Sequence, residues 1–380
     1  MQQPQEPSIA ARIVMVLRDM GPATVNGLAL TLQVSRTSVE NAISPLVQSG
    51  LLDTTTTSGA GVGRPSRSYA FAAGRGCVAG VDVGNSSIRV VVSDLAGEVL
   101  AHRVSAGVMT YPDGASKLTA VADEVRAALR DAGIPSSTLR AVGLSLPGIV
   151  SEAGVVLNSV VIPEWSGADI GNHLAGALGA AVAVDNGVRL AAVAEHHLGA
   201  AQLVSDVLYL SVGNRVAMGL ILGGRARRGA HEVAGDIGRL VMPELRTGAG
   251  QITWTNGRSA AEVFTRAREG DIAAREEITG FVDRLARALA ILMMAIDPAK
   301  VVIGGGLSQA HDDFLVPLRE AVARYLQLTG EIPLVKARLG DEAAAHGALV
   351  LAFRRRSSDI YGLEHLRVPP ITPWNADVSE

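Results

Sequence analysis

The sequence predicts a small helical domain closed by a β-hairpin, followed by a two-lobed α/β body. Three observations carry this. Between residues 8 and 50 apolar side chains recur at helical spacing, and two strand-like runs around a glycine-rich tip follow, "LLDTTTTSGAGVGRPSRSYAF". From Cys77 to about residue 355 strand-like and helix-like runs alternate, which is the pattern of an α/β fold. The alternation also recurs in outline. Glycine-punctuated strands and a long helix occur once after Cys77 and again after Ser205.

Composition bounds the function classes. The 380 residues are 48% hydrophobic and 19% charged, as in a folded chain of two or three domains. A net charge of -3 argues against a surface built throughout to coat nucleic acid or anionic membrane. One cysteine, Cys77, cannot form an internal disulfide or a thiolate-rich zinc site. The start, "MQQPQEPSIAAR", lacks a basic then apolar leader, and the apolar run "ALAILMMAI" is too short to span a bilayer. The expectation is a cytoplasmic protein with no membrane partner.

The first helix is marked by Ile9, Ile13, Val16 and Leu17, and "GPAT" ends it. A second carries Val25, Leu28, Ala29 and Leu32. Ser35 is the expected N-cap of a third. That helix puts Val39, Ala42, Ile43, Leu46 and Val47 on one face, with Arg36, Thr37, Ser38, Glu40 and Asn41 on or near the other. Pro45 is expected to bend it late, because it lacks an N–H. Three helices and a hairpin over residues 8–71 read as a winged helix-turn-helix, against the blander alternative of an ordinary helical domain. The polar face of helix three has side chains of the kinds that reach base edges and phosphates. Arg12, Arg18, Arg36, Arg64, Arg67 and Arg75 outnumber Glu6, Asp19, Glu40 and Asp53 here. Tyr69 and Phe71 are the segment's two aromatics, too few for a single-strand stacking platform, so duplex DNA is the expected partner. In the wing, "GRPSR" places arginines around a proline, which suits a narrow minor groove; a solvated loop is the alternative. The candidate DNA contacts are Ser35, Arg36, Thr37, Ser38, Asn41, Gly63, Arg64, Pro65 and Arg67.

A short linker, residues 72–76, leads to the body. One lobe is expected over 77–198 plus a helix at about 341–355, the other over 199–340. The proline-rich, aperiodic segment 356–380 is expected to be flexible. Within the body, "VDVGNSS" (81–87) and "VVIGGGLS" (301–308) are strands running into glycine turns, where backbone can approach a phosphate or a flat base.

These turns, with "LSLPGIV", "VDNG", "AGDIG", "DPAKVVIGGGLS" and "DEAAAHGAL" in this order over about residues 78–353, resemble the ROK family (repressors, open reading frames and kinases). The resemblance implies an actin-like, ribonuclease H-like sugar-kinase fold. With the N-terminal domain in front, it implies the repressor branch, which answers to sugars such as xylose and N-acetylglucosamine. It places nucleotide contacts at Asp82, Gly84, Ser86, Gly304, Gly305 and Gly306. It places ligand contacts at Pro147, Gly148, Asn186, Glu195, Asp236 and Arg239.

Departures shape the expected function. The family's Glu-Asn-Asp motif, whose last Asp is the general base, reads Asp185-Asn186-Gly187 here, and glycine cannot accept a proton. The phosphate loop reads Gly213-Asn214-Arg215-Val216-Ala217 where family kinases hold three glycines. Ile162 stands near the place of a sugar-contacting Asn, and Trp165 matches a tryptophan beyond it. The family's zinc-ligating His is Arg239 here, and no cysteine follows, so no metal is expected. His231 and His346 are read as ordinary capping or surface histidines. The expectation is therefore a homodimeric or tetrameric DNA-binding regulator, a repressor of carbohydrate genes acting at a two-fold operator. Its body would sense a sugar or sugar phosphate, with no cofactor and no enzyme activity. A ligand-blind scaffold and an active sugar kinase are the alternatives.

Overall fold

A computed structural model describes residues 6–57, 66–241, 251–310, 312–327 and 331–372. The wing tip, with Gly63, Arg64 and Pro65, lies outside the described residues. The N-terminal region runs α1 (Ile9–Met20), β1 (Ala23–Thr24), α2 (Val25–Leu32), α3 (Arg36–Gln48), β2 (Leu52–Thr57) and β3 (Ser66–Phe71). Each helix starts where a hydroxyl caps it: Ser8 accepts from Ala11 N, Thr24 from Gly27 N and Ser35 from Ser38 N. Their apolar stripes meet, burying Ile13, Leu17, Leu28, Leu32, Val39, Ile43 and Leu46. α3 continues through Pro45 to Gln48, so the proline does not end the helix. β2 and β3 pair antiparallel, Leu52 opposite Phe71, and β1 adds to the other edge of β3.

The body follows with β4 (Cys77–Val83), β5 (Ser87–Asp94), β6 (Val99–Ala106), α4 (Gly114–Asp131), β7 (Leu139–Leu146), β8 (Ile149–Val150), β9 (Val156–Asn158), α5 (Ile170–Leu178), β10 (Ala181–Asn186) and α6 (Gly187–Leu198). Next come β11 (Val207–Val212), β12 (Val216–Leu222), β13 (Arg225–Ala226), α7 (Gly238–Val241), α8 (Ala260–Arg268), α9 (Ile272–Ile296), β14 (Lys300–Gly304), α10 (Asp312–Leu326), β15 (Leu334–Lys336), α11 (Ala343–Arg355) and α12 (Ser357–Tyr361). Two five-stranded sheets result, ordered β10-β7-β4-β5-β6 and β13-β12-β11-β14-β15. The expected repeat is visible in these orders: each sheet has an antiparallel meander on one side of its first strand and two later strands on the other. In the second sheet β14 and β15 join parallel, which requires crossovers such as α8–α9 and α10.

The chain divides into two compact units. Unit 1 holds residues 1–144, 169–184 and 348–380, and unit 2 holds 145–168 and 185–347. This differs from the boundaries expected from sequence. The chain leaves unit 1 in the middle of β7 and again at the end of β10, so α6 belongs to unit 2, and the N-terminal helices pack as part of unit 1. Unit 2 has a core in which Leu208, Leu210 and Ile303 of the sheet meet Phe281, Leu285 and Leu289 of α9 and Phe314 of α10. Side chains of this size each contribute roughly 1.5–3 kcal/mol when fully buried.

The expected flexible tail is corrected over residues 357–372; residues 373–380 lie outside the described residues. Residues 357–361 form α12, and Ile360, Tyr361, Leu366 and Ile371 are buried, so apolar side chains spaced without periodicity still anchor it. Among the described residues no helix is long and apolar enough to cross a membrane.

Candidate functional site

A cavity of about 330 Å³ opens within unit 2, where six chain segments converge. Pro147, Gly148 and Ile149 come from the β7–β8 turn and Asn158 from the end of β9. Asn186 and Arg189 come from the start of α6, and Gly213 to Met218 from the β11–β12 hairpin. Glu232, Ala234, Gly235 and Asp236 come from the loop before α7, and Gly305 and Gly306 follow the end of β14. The parallel pairing of β11 with β14 sets Ser211 opposite Gly304 and so brings two glycine turns side by side. Met218 N–H donates to the Gly235 carbonyl at 2.9 Å, tying the β12 wall to the loop that carries Asp236. Gly235 has φ +92°, and a Cβ there would stand 1.9 Å from the Met218 oxygen, so only glycine fits.

Four charged side chains form a cluster, of which Arg189 and Glu232 line the cavity. Asp185, 4% exposed, accepts from Arg189 Nη1 at 2.6 Å and pairs with Arg228. Arg228 also donates to Glu232 at 3.0 Å and to the Val150 carbonyl at 3.1 Å. Arg189 Nη2 donates to the Glu232 carbonyl at 3.1 Å, and the Glu232 carboxylate accepts from Glu152 N–H at 3.0 Å. Two acids and two guanidiniums thus balance, and they lock three of the converging segments together. Burial pulls the Arg189 guanidinium below its usual range, with Asp185 opposing the effect and Arg228 adding to it. Arg189 Nε is buried without a hydrogen-bond partner. Burial likewise lowers Arg215, which lines the cavity from the β11–β12 hairpin.

Six predicted residues meet here: Pro147, Gly148, Asn186, Asp236, Gly305 and Gly306. Asn186 does more than line the site. Its Oδ1 caps α6 by accepting from Val188 and Arg189 N–H at 3.0 Å each, and its Nδ2 donates to the Gly148 carbonyl at 2.7 Å. Gly187 is the first residue of α6, directly after this cap.

Others stand elsewhere. Glu195 is fully buried, and its two oxygens accept from Ala200 and Leu339 N–H at 2.7 Å each, so it anchors backbone and is absent from the cavity lining. Gly304 is not in the lining either; it packs against the Tyr209 ring. In unit 1, Asp82 lies on β4 opposite Arg89, and Gly84 and Ser86 lie in the β4–β5 turn, where Gly84 N–H donates to the Ser87 carbonyl at 2.9 Å. Arg239 lies on α7, and its side chain is outside the described residues. Ile162 and Trp165 are buried in the core beside β9. His346 is buried, with Nδ1 2.9 Å from the Glu342 carbonyl one turn earlier. Sequence reasoning missed Asn158, Arg189, Arg228 and Glu232. Asn158, four residues before Ile162, brings an amide to the cavity rim; Arg189 stands in the first turn of α6, four residues after Asp185 at the end of β10, and that spacing was its one local signal.

On α3 the candidate DNA contacts form an exposed edge. Ser35 Oγ caps Ser38 N–H at 3.0 Å and lies 2.8 Å from Ser38 Oγ. Arg36 Nε donates to Glu40 at 2.9 Å, and its Nη1 donates to Asn26 Oδ1 at 3.2 Å. Thr37 and Asn41 are exposed, as is Arg67 on β3.

The ROK family profile matches residues 78–250 and 245–355, and the chain belongs to the ROK family. Its body therefore has the α/β, actin-like fold of that family's sugar kinases. The chain is 33% identical over 196 residues to the bifunctional enzyme NanE/NanK of Brucella melitensis, a match covering 48% of this chain and 37% of that protein. The chain thus spans well under half the length of that relative. It is 28% identical to a glucokinase of Streptomyces coelicolor, over 73% of this chain and 98% of the glucokinase. It is 23% identical to a xylose repressor of Caldicellulosiruptor bescii, over 73% and 78% of the two chains. Its fold matches the crystal structure of a ROK family transcriptional regulator, a homolog of E. coli MLC protein. There the TM-score is 0.71, with 21% identity over 93% of this chain and 96% of that one.

These relatives correct one expectation. Loss of the base at Gly187 led to the expectation that the chain is not an enzyme. Relatives named as glucokinase and N-acetyl-D-glucosamine kinase overturn it, at 27–28% identity and over most of their own lengths. The departures at Gly187 and in the Gly213–Ala217 loop do not outweigh kinship spread over most of the body.

Proposed function

We propose that the chain is a DNA-binding transcriptional regulator of carbohydrate-related genes whose ROK body takes a sugar or sugar phosphate in the unit 2 cavity. The observation that carries this is the N-terminal domain itself. Three capped helices and a hairpin precede the family-matched body, and α3 presents Arg36, Thr37 and Asn41 outward. In this reading the domain is a winged helix-turn-helix, α3 enters a major groove, and Arg67 extends the contact along β3. Two copies read a two-fold operator, as paired half-sites require. Effector binding shifts the population between operator-binding and operator-free forms, which needs an effector with different affinity for each. Similarity to a xylose repressor supports the regulator reading. Genome-wide mapping of bound fragments tests it: enrichment of two-fold sites beside transport or catabolic genes is expected, and no enrichment would sink it.

Sugar phosphorylation is the second reading. The gathering of two glycine turns with Pro147, Gly148, Asn186 and Asp236 in one cavity favours it, as do the relatives named as kinases. An ATP-coupled assay over a sugar panel separates the two. Turnover that Asn186→Ala abolishes supports phosphorylation.

A further inference from the structure

The C-terminal segment joins parts of unit 1 that are distant in sequence. After α12 the chain runs without regular structure from 363 to 372. On one side it holds the N-terminal helices. Arg367 N–H donates to Met15 Sδ at 3.5 Å, the Arg367 carbonyl accepts from Arg18 Nη1 at 3.0 Å, and the Arg367 guanidinium stands 3.8 Å from Asp19. The Arg18 side chain is 1% exposed, and Asp19 takes its Nε–H at 2.8 Å, so this buried cation is fully engaged. On the other side the segment lies on the β5–β6 turn. Thr372 N–H donates to the Gly97 carbonyl at 3.3 Å, and a Cβ on Gly97 (φ +91°) would stand 2.4 Å from the Pro370 oxygen.

Tyr361 is the root of the segment. Its hydroxyl donates to the Leu95 carbonyl at 2.7 Å. Its ring lies 6.3 Å from Phe71, the last residue of β3, and 6.3 Å from Phe353 of α11. Burial pushes the phenol well above its usual range, so it stays protonated and donating.

A domain tethered by one short linker can pivot about it. Here the linker is residues 72–76, fixed where Leu95 N–H donates to the Ala73 carbonyl at 3.2 Å. A second attachment, at a different place on the domain, removes the remaining rotation. Pro369 and Pro370 stiffen that attachment, because each fixes its own φ and restricts the residue before it. We propose that residues 363–372 are a strap that sets the orientation of the N-terminal domain on the β4–β6 side of unit 1, and that operator affinity depends on it. The affinity half rests on the regulator reading above; the orientation half does not. Two heads that must meet fixed half-sites lose affinity when each must be ordered on binding.

Two variants test this: the chain ending at Gly362, and Gly97→Val, which drives a side chain into the strap while keeping every residue of it. Spin labels at Gln48→Cys on α3 and Thr119→Cys on α4, both exposed positions, read the orientation by pulsed dipolar spectroscopy. Circular dichroism confirms folding of each variant. The intact chain should give one narrow distance distribution, and both variants a broad one. Binding to a duplex selected from a random pool by the intact chain should weaken at least about tenfold in both variants. Unchanged distributions in the folded variants would overturn the strap. Broad distributions with unchanged affinity would overturn its link to DNA. An intact chain that enriches no duplex overturns the regulator reading and that link with it, and the distances alone then decide the strap.

Discussion

Two helices in this chain begin at a capped turn on which the proposed function rests, and they are built differently. α3 starts at Ser35, whose hydroxyl serves Ser38, three residues on. Beside it Arg36 donates to Glu40 and Asn26, both close in sequence and at the surface. α6 starts at Asn186, whose amide serves Val188 and Arg189 locally but also reaches Gly148, 38 residues away. Beside it Asp185 gathers Arg189 and Arg228 in a buried cluster. The first turn is held by local geometry and leaves its polar face free to meet a partner. The second is held by long-range contacts, so its polar groups are both the cavity wall and the fasteners of that wall.

That contrast orders the expected effects of mutation. Asp185→Ala should be the most damaging change, because it leaves two buried guanidiniums to share the one remaining carboxylate, Glu232. Such losses cost about 3–5 kcal/mol, and denaturant unfolding should show the drop together with loss of any sugar-induced thermal shift. Asn186→Ala removes the α6 cap and the tie to Gly148, and should cost about 2 kcal/mol. If instead it costs no more than Ser35→Ala, the two turns are equivalent and the contrast fails. Ser35→Ala should cost about 1 kcal/mol, as a local N-cap does, with sugar response intact. Arg36→Ala should change stability least, by about 0.3–0.5 kcal/mol for an exposed i,i+4 pair. Its effect should appear in DNA binding, where the slope of log affinity against log salt falls by about one if Arg36 meets a phosphate.

The same contrast explains what was legible beforehand. The three N-terminal helices, the cap at Ser35 and the long helix after Ser205 follow from periodicity and capping residues, all local signals. The ordered glycine turns located Pro147, Gly148, Asn186, Asp236, Gly305 and Gly306, which the fold then gathered at one cavity. Glu195 was misassigned because a helix-ending acid looks the same in sequence whether it meets a ligand or, as here, the backbone at Ala200 and Leu339. Arg228 and Glu232 sit in a loop without periodicity, so nothing local marked them.

The sequence by itself determined the element types, the repeat of two α/β halves and membership of a family that holds both kinases and repressors. Those properties rest on side-chain periodicity and turn chemistry within a few residues. Tertiary structure alone decided that Asp185 is tied to Arg228, that the units exchange chain within β7 and after β10, and that residues 363–372 lie against α1 and Gly97. Each of these is a pairing between groups far apart along the chain. Its energy exists only once burial has removed the water that would otherwise satisfy them.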